Sequence, residues 1–302
     1  MAVSGLGGAV AVRAGGGLTC AILGDETVRC WGQYTSPSSD HIGQSPTPVT
    51  IDGLGTVADV QTGGGHTCAL RGDGSVVCWG KNAAGQLGDG TFEDRFFPVS
   101  VPGMSGAEAI TLGSQHTCAL LAGGGVWCWG SLIALHLDQS SADPILVEGL
   151  DGAVAIDGGS RHTCAIGSDG TASCWGDNEN GALGDGTHEG SAAPVAVAGI
   201  EGAIAIGAGY AHSCALLSDG SVRCWGRNFA GELGRDTWGA DQLAPAPVVG
   251  TDDARALSIG TGAYSCTLHD DGRARCWGDN TWGVLGDGTT SNRNTPVEVA
   301  GL

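Results

Sequence analysis

Short apolar segments alternate with glycine-rich or polar connections along the whole chain. Runs such as Ala153–Ile156 end after a few residues. That length suits a β-strand and falls far short of the roughly 20 apolar residues that cross a membrane as a helix. One representative stretch contains four extended segments, at Val57–Gln61, His66–Arg71, Ser75–Gly80 and Pro98–Val101. The pattern predicts a repeating unit of four short strands, named A to D in chain order.

The cysteines show that this unit occurs six times. Twelve cysteines form six pairs whose members are ten positions apart, and each second cysteine is followed by Trp-Gly. The pairs are Cys20 with Cys30, Cys68 with Cys78, Cys118 with Cys128, Cys164 with Cys174, Cys214 with Cys224, and Cys266 with Cys276. The tryptophans that follow them are Trp31, Trp79, Trp129, Trp175, Trp225 and Trp277. Four-stranded units of about fifty residues are typical of β-propeller blades.

A proline marks strand D in each repeat, and we expect the strand to open at it. These prolines are Pro48, Pro98, Pro144, Pro194, Pro247 and Pro296. Because proline lacks the N–H that a central strand donates, strand D is predicted at the outer edge of its sheet. We predict an all-β, six-bladed β-propeller with antiparallel blades, and a seven-bladed or open ring is the alternative. One domain then spans residues 1–302, with blades at approximately 1–54, 55–105, 106–150, 151–200, 201–251 and 252–302.

The connection between strands B and C is predicted as a three-residue hairpin loop. An Asp lies five positions after the first cysteine in five repeats, and a Gly occupies the next position in five. Glycine suits the left-handed position of such a loop. In the second repeat this register pairs Arg71 with Ser75 and Cys68 with Cys78, so the two cysteines face each other. Facing cysteines favour disulfides over buried free thiols, and a zinc ion would find only two of its four ligands in each blade.

Six disulfides imply an oxidising compartment, so we expect a secreted, periplasmic or cell-surface protein. No basic segment followed by an apolar one opens the chain, and no secretory signal is predicted in this sequence.

The 56 glycines argue against a mainly helical protein. The net charge of −19 repels phosphate backbones and anionic lipid. We therefore expect no nucleic-acid binding and no membrane insertion.

The repeat pattern as a whole resembles the regulator of chromosome condensation repeat. In the second unit the matching residues are Gly63–Leu70, Asp73-Gly74, Cys78–Gly80, Asn82–Gly88 and Pro98-Val99. The resemblance covers all six units, and the paired cysteines are similar to those of bacterial members. It implies a β-propeller, most often seven-bladed in that family, that acts as a protein-interaction scaffold.

The loop between strands C and D varies most among the repeats. From the Cys-Trp-Gly tryptophan to the strand D proline the distance ranges from 15 to 22 residues. From that proline to the next cysteine it is 19 or 20 residues. A rigid frame that carries variable loops is the usual support of a binding site. Because the A–B and C–D loops of an antiparallel blade emerge on one face, that face is the predicted binding face.

Candidate contact residues lie in the C–D loops. Aromatic residues in this loop are expected only in the late blades, five and six, where two arginines lie beside them. The candidates are Phe229, Trp238, Trp282, Arg227 and Arg235, with Leu135 and His136 from the Leu-rich loop of blade three. Tryptophan and arginine dominate binding hot spots, and the alternative is that the aromatic rings pack over a neighbouring blade. Blade one departs from the common loop pattern over Gln33–His41.

Several recurrent polar residues are interpreted as structural. A histidine enters strand B in four repeats, at His66, His116, His162 and His212. Such a set suits a metal or a pH-sensitive surface, but recurrence once per blade favours a hydrogen bond to the glycine-rich A–B turn.

Arg71-Gly72-Asp73 spells the integrin-binding tripeptide, although Asp73 is the common turn residue. The Gly-Asp-Gly-Thr stretches at Gly88, Gly184 and Gly286 lack the ligand spacing of a calcium loop.

The sequence contains no motif that assigns a catalytic reaction. There is no Gly-x-Ser-x-Gly elbow, phosphate-binding loop or His-Glu-x-x-His helix. We predict a monomeric, non-catalytic binding scaffold that presents its A–B and C–D loops to a protein partner, without cofactor or metal. A carbohydrate-binding propeller with aromatic platforms is the alternative, and an enzyme with its site at the channel mouth is less favoured.

Overall fold

All regular secondary structure in the described part of the chain is β-strand. The computed structural model describes residue 3 and residues 6–35, 42–131, 140–150, 152–260 and 262–301. Twenty-four strands form six four-stranded sheets, and within each sheet the strands follow chain order. The chain is therefore a six-bladed β-propeller with antiparallel blades, as predicted. The blade boundaries and the single-domain organisation stay predictions.

The first compact unit comprises Met1–Leu132 with Asp138–Val147. Its three sheets contain β1 (Ala9–Gly15), β2 (Leu18–Leu23), β3 (Val28–Thr35) and β4 (Ile42–Thr50); β5 (Val57–Thr62), β6 (His66–Arg71), β7 (Val76–Gly80) and β8 (Arg95–Ser100); and β9 (Ala107–Leu112), β10 (His116–Leu121), β11 (Val126–Ser131) and β12 (Ser140–Leu146). These sheets are blades one to three.

The second compact unit comprises Ile133–Leu137 with Glu148–Leu302. Its three sheets contain β13 (Ala153–Gly158), β14 (His162–Gly167), β15 (Ala172–Gly176) and β16 (Ser191–Ala196); β17 (Ala203–Ala208), β18 (His212–Leu217), β19 (Val222–Gly226) and β20 (Gln242–Pro247); and β21 (Ala254–Ile259), β22 (Tyr264–His269), β23 (Ala274–Gly278) and β24 (Arg293–Glu298). These sheets are blades four to six.

The predicted B–C register is confirmed. In blade two, Cys68 lies opposite Cys78 in the ladder between β6 and β7. The Arg71 N–H donates to the Ser75 carbonyl at 2.9 Å. Gly74 closes the turn at φ 78°, a conformation that favours glycine. The hairpin thus brings the two cysteines of the blade face to face.

All six predicted cysteine pairs form disulfides. The Cα–Cα distances are 4.0 to 4.1 Å, and each bond joins the two middle strands of one blade. The bonds link Cys20 to Cys30, Cys68 to Cys78, Cys118 to Cys128, Cys164 to Cys174, Cys214 to Cys224, and Cys266 to Cys276. The hairpin therefore carries one covalent link in every blade, and the alternative of buried free thiols does not apply.

Removal of one disulfide is expected to weaken the fold measurably. Replacing both Cys214 and Cys224 by alanine opens a short loop, for which the chain-entropy model gives about 2–3 kcal/mol of lost stability. Urea denaturation under non-reducing conditions measures the loss, and peptide mapping of the unreduced protein verifies the five remaining links. Equal stability of the double variant and the wild type would contradict the covalent contribution.

The prediction that strand D opens at its proline was wrong. Strand β8 begins at Arg95, and Pro98 is its fourth residue. The ladder is irregular there, because Cys78 pairs with Val99 whereas Gly80 pairs with Arg95. Proline is tolerated at this bulge on an outer strand because no ladder hydrogen bond is required of it. In blade five the equivalent residue is Pro245 and not Pro247, since Ala246 takes the place of Val99 opposite the cysteine.

The core joins each blade to the next within a unit. In the first unit, Trp129 of blade three packs in one buried cluster with Leu70 and Val76 of blade two. In the second unit, Trp277 of blade six packs with Leu216 and Val222 of blade five. Within each unit these Cys-Trp-Gly tryptophans therefore hold the joints between successive blades, and the joints set the position of the loops above them.

Candidate binding surface

A buried asparagine organises the C–D loop of four blades. These residues are Asn82, Asn178, Asn228 and Asn280, each no more than 1% exposed. In blade two, the Asn82 Oδ1 accepts from the Leu87 N–H at 2.9 Å, and its Nδ2 donates to the Thr91 carbonyl at 2.9 Å. The sequence motif contains this asparagine, but no role was predicted for it. Its recurrence at a fixed distance before a leucine is the signal that identifies it.

The asparagine-built loop places a carbonyl group at the joint with the next blade. The Gln86 carbonyl accepts from Trp129 Nε1 at 3.0 Å and from Thr117 Oγ1 at 2.9 Å. In the second unit the Ala182 carbonyl accepts from Trp225 Nε1 and Ser213 Oγ in the same way. The loops of blades two and four therefore each close a joint with two hydrogen bonds to one oxygen.

The strand B histidines belong to these joints. His66 Nε2 lies 2.8 Å from Thr117 Oγ1, and His212 Nε2 lies 2.9 Å from Ser265 Oγ of the next blade. The predicted hydrogen bond to the A–B turn was therefore wrong in its partner, because the ring reaches across the joint. The turn instead supplies space, since a Cβ on Gly209 would lie 2.2 Å from the ring of His212. The histidine is structural, as the recurrence indicated.

Blade five carries an exposed stack of one arginine between two aromatic rings. The Arg227 guanidinium lies 5.4 Å from the ring centroid of Tyr210 and 5.4 Å from that of Phe229. Tyr210 comes from the A–B turn and Phe229 from the C–D loop, so both loop classes build the stack. Tyr210 is 53% exposed and Phe229 is 71% exposed. A guanidinium at this distance from an aromatic face is held by a cation–π interaction.

A buried carboxyl lies beside the stack. Glu232 is fully buried, and its Oε2 accepts from the Ala230 N–H at 2.6 Å. Its Oε1 lies 3.7 Å from Arg227 Nη1. Burial raises the pKa of Glu232 above its ordinary value, while hydrogen bonding and the charge of Arg227 act against that rise. The carboxyl thus fixes the arginine from the protein side while the rings cover it from the solvent side.

The predicted aromatic residues are exposed, and Phe92 is a further exposed aromatic residue in a C–D loop. Trp282 is 87% exposed and Trp238 is 52% exposed, so neither ring is buried in a joint. Phe92 of blade two is 53% exposed and follows the loop threonine as Trp238 does in blade five. The expectation that loop aromatics occur only in late blades was therefore wrong. Alignment of the loops on their threonines identifies Phe92.

The loop of blade five departs from its counterparts at two further positions. Arg235 stands where blades two and six have Asp89 and Asp287, each of which pairs with the arginine that begins strand D of its own blade. Arg235 is half-buried and forms no salt bridge with any described residue. The next residue, Asp236, has φ 60° where blades two, four and six have Gly90, Gly186 and Gly288. Strained non-glycine residues concentrate at functional loops.

The remaining candidates of the sequence analysis divide into two groups. Leu135 and His136 lie outside the described residues. The Arg-Gly-Asp tripeptide is engaged within the protein, because Arg71 donates to the carbonyls of Leu54 and Gly53 in the connection before β5 and Asp73 accepts from Ser75 in the turn. The Asp89 carboxylate is paired with Arg95 at 2.7 Å. These contacts give the Arg-Gly-Asp tripeptide and the Gly-Asp-Gly-Thr stretch at Gly88 structural roles within the protein.

Metal-binding clusters and membrane-spanning helices are absent from the described ranges of the chain. No group of three or more His, Cys, Asp or Glu side chains there is placed to hold a metal ion. Nor does that part of the chain include an apolar helix long enough to cross a membrane.

Comparison with known proteins identifies relatives. Over 96% of its length the chain is similar to yeast RCC1 (Prp20) in complex with Kap60, with a TM-score of 0.83, 20% identity and 74% of that chain covered. Human WBSCR16 gives a TM-score of 0.82 at 19% identity, covering 95% of this chain and 80% of the other. A segment of 59 residues, 19% of this chain, is 41% identical to the human E3 ubiquitin-protein ligase HERC2, of which it covers 1%. The family model of the RCC1-like domain matches residues 2–302, and the chain belongs to that family.

Proposed function

We propose that the protein is a non-catalytic scaffold that binds a protein partner through the face of its A–B and C–D loops. The observation that carries the proposal is the exposed stack of Tyr210, Arg227 and Phe229. Large aromatic rings in water are costly unless something covers them, and rigid aromatic and arginine side chains are the usual anchors of protein interfaces. The stack is held in place before binding, which lowers the entropic cost of association.

Two further observations support the proposal. The similar yeast protein, RCC1 (Prp20), is bound to the protein Kap60 in its solved structure. Trp282 and Trp238 extend the aromatic character of the loops in the same unit.

The six disulfides support a secreted, periplasmic or cell-surface setting, where such bonds persist.

Phe229→Ala and Trp282→Ala are each expected to weaken partner binding by about 1–4 kcal/mol, because each removes an aromatic anchor. The fold is expected to persist because both rings are largely in solvent. Proteins captured from a native extracellular fraction by the wild type are identified, and their affinities for each purified variant are measured by calorimetry.

Phe97→Ala is the matched control for this experiment. Its ring is 65% exposed, but it lies on the outer strand β8 and not on a loop. A partner that Phe97→Ala retains and Phe229→Ala loses supports the proposed face. Partners that all three variants bind equally would contradict it, and binding to a glycan array that depends on Trp282 would favour the carbohydrate-binding alternative.

A further inference from the structure

A cavity of about 300 Å³ lies between blades one and two. Leu18 and Gln33 line it from blade one, and His66, Thr67 and Trp79 line it from blade two, beside the glycine turn 63–65. These residues belong to the A–B turns and to the ends of strands B and C. The cavity therefore opens on the same face as the loops.

The equivalent space between blades two and three is filled by the chain itself. There the Gln86 carbonyl accepts from Thr117 and Trp129, which correspond to Thr67 and Trp79. The neighbouring Leu87 is fully buried. The second unit repeats this arrangement with the carbonyl of Ala182 and the fully buried Leu183. A filled joint thus consists of a main-chain carbonyl followed by a leucine side chain.

Blade one does not supply these groups from a loop of the common pattern. In blade two, strand C ends at Gly80 and the Asn-x-x-Gly-x-Leu-Gly loop begins. In blade one, strand β3 continues instead to Thr35 and pairs with β4 as far as Ile42. Residues 33–35 and 42–44 of blade one therefore pair with each other at positions where blade two has already left its strand and entered the loop.

Two side chains at the cavity carry hydrogen-bond donors for which the described residues supply no acceptor. Thr67 is 3% exposed and Trp79 is 5% exposed, and neither side chain forms a hydrogen bond with any residue that the structure describes. Leu18 takes the place that a histidine has in blades two to five, so Thr67 also lacks the imidazole that approaches Thr117. Both side chains line the cavity, and donors that face a cavity favour a ligand that offers an oxygen acceptor.

We infer that this cavity binds a peptide segment of a partner protein that presents a main-chain carbonyl next to a leucine-type side chain. The carbonyl accepts from Trp79 Nε1 and Thr67 Oγ1, and the aliphatic group contacts Leu18. The filled joints show that this combination satisfies the same two donor positions. The site belongs to the first unit, so its failure would leave the proposal for the blade-five stack untouched.

The test uses the full chain and a synthetic peptide with the sequence of residues 82–90, acetylated and amidated. Tryptophan indole N–H signals are followed by NMR, with Trp79 assigned through Trp79→Phe. The peptide is expected to shift the Trp79 signal saturably, and a peptide with glycine in place of its leucine is expected to fail. Thr67→Val is expected to weaken binding about five- to tenfold through loss of one hydrogen bond.

Thr117→Val is the matched control, because the acceptor of Thr117 comes from the protein's own loop. Its affinity for the peptide should equal that of the wild type, with folding of both variants verified by thermal melting. Absence of a Trp79 shift at about 5 mM peptide would overturn the inference, because even a site of weak millimolar affinity is occupied at that concentration. So would an indole N–H of Trp79 that resists hydrogen exchange as well as that of Trp129 in the free protein, because its donor would already be satisfied.

Discussion

Replacement of Trp225 by alanine is expected to lower the free energy of unfolding by about 3–5 kcal/mol. Trp225 is fully buried and packs with Leu183 and Ile166 of the preceding blade. Its Nε1 donates to the Ala182 carbonyl at 2.8 Å. Truncation therefore leaves a cavity at the joint and removes one of the two hydrogen bonds that close it. Urea denaturation followed by circular dichroism measures the loss.

Trp282→Ala provides the contrast within the same unit. Because that side chain is 87% exposed, its removal is expected to change stability by less than about 0.5 kcal/mol. Trp225→Phe separates packing from hydrogen bonding, since it keeps most of the ring and loses the N–H, and about 1–2 kcal/mol is expected. Equal destabilisation by Trp225→Ala and Trp282→Ala would show that Trp282 is a core residue.

Features formed within one repeat were predictable from the sequence. The B–C hairpin is built from residues ten positions apart, and the turn pattern with Asp73-Gly74 determines its register. The cysteines then face each other whatever surrounds the hairpin, which is why the disulfides could be predicted. Strand D was less predictable, because the bulge at Pro98 depends on pairing with β7 across a long loop.

Features formed between blades were not predicted, because their partners are about one repeat apart in sequence. His66 and Thr117 are separated by 51 residues, and Trp129 and the Gln86 carbonyl by 43. No local periodicity reports such a contact. The contacts do follow from the repeat once its geometry is known, since a residue that recurs in every blade meets the equivalent surface of the next. The Arg227 stack has no such rule, because Tyr210 and Phe229 belong to blade five alone.

The buried histidines give the second large prediction, which concerns acid stability. Burial lowers the pKa of His66 to about 3, of His116 to about 4 and of His212 to about 3, from an ordinary value of 6.5. The charge of His116 lowers the pKa of His66 further, and the charges of His162 and Arg227 lower the pKa of His212 in the same way. Each ring is therefore neutral in the folded protein at pH values where the unfolded chain holds it protonated.

The sign follows from proton binding. Below pH 6.5 the unfolded chain binds more protons than the folded protein, so stability is complete above that value and is lost as the pH falls. At pH 5 each of the three rings lowers the free energy of unfolding by about 2 kcal/mol, or about 6 kcal/mol together. Protonation of carboxylates relieves repulsion in a protein of net charge −19 and acts in the opposite direction.

A double variant isolates the histidine contribution from this opposing effect. Glutamine in place of His66 and His212 retains a side-chain amide that can hydrogen-bond to the hydroxyls of Thr117 and Ser265, but it does not titrate. The stability difference between pH 7.5 and pH 5 is expected to shrink by about 4 kcal/mol when His66→Gln and His212→Gln are combined, because two of the three groups are gone. Denaturant midpoints at both pH values, converted with a common slope, provide the measurement. If the variant and the wild type lose the same stability on acidification, the two joints do not hold neutral imidazoles. The hydrogen bonds between these histidines and the hydroxyls of the next blade then cannot be what limits the stability of the fold in acid.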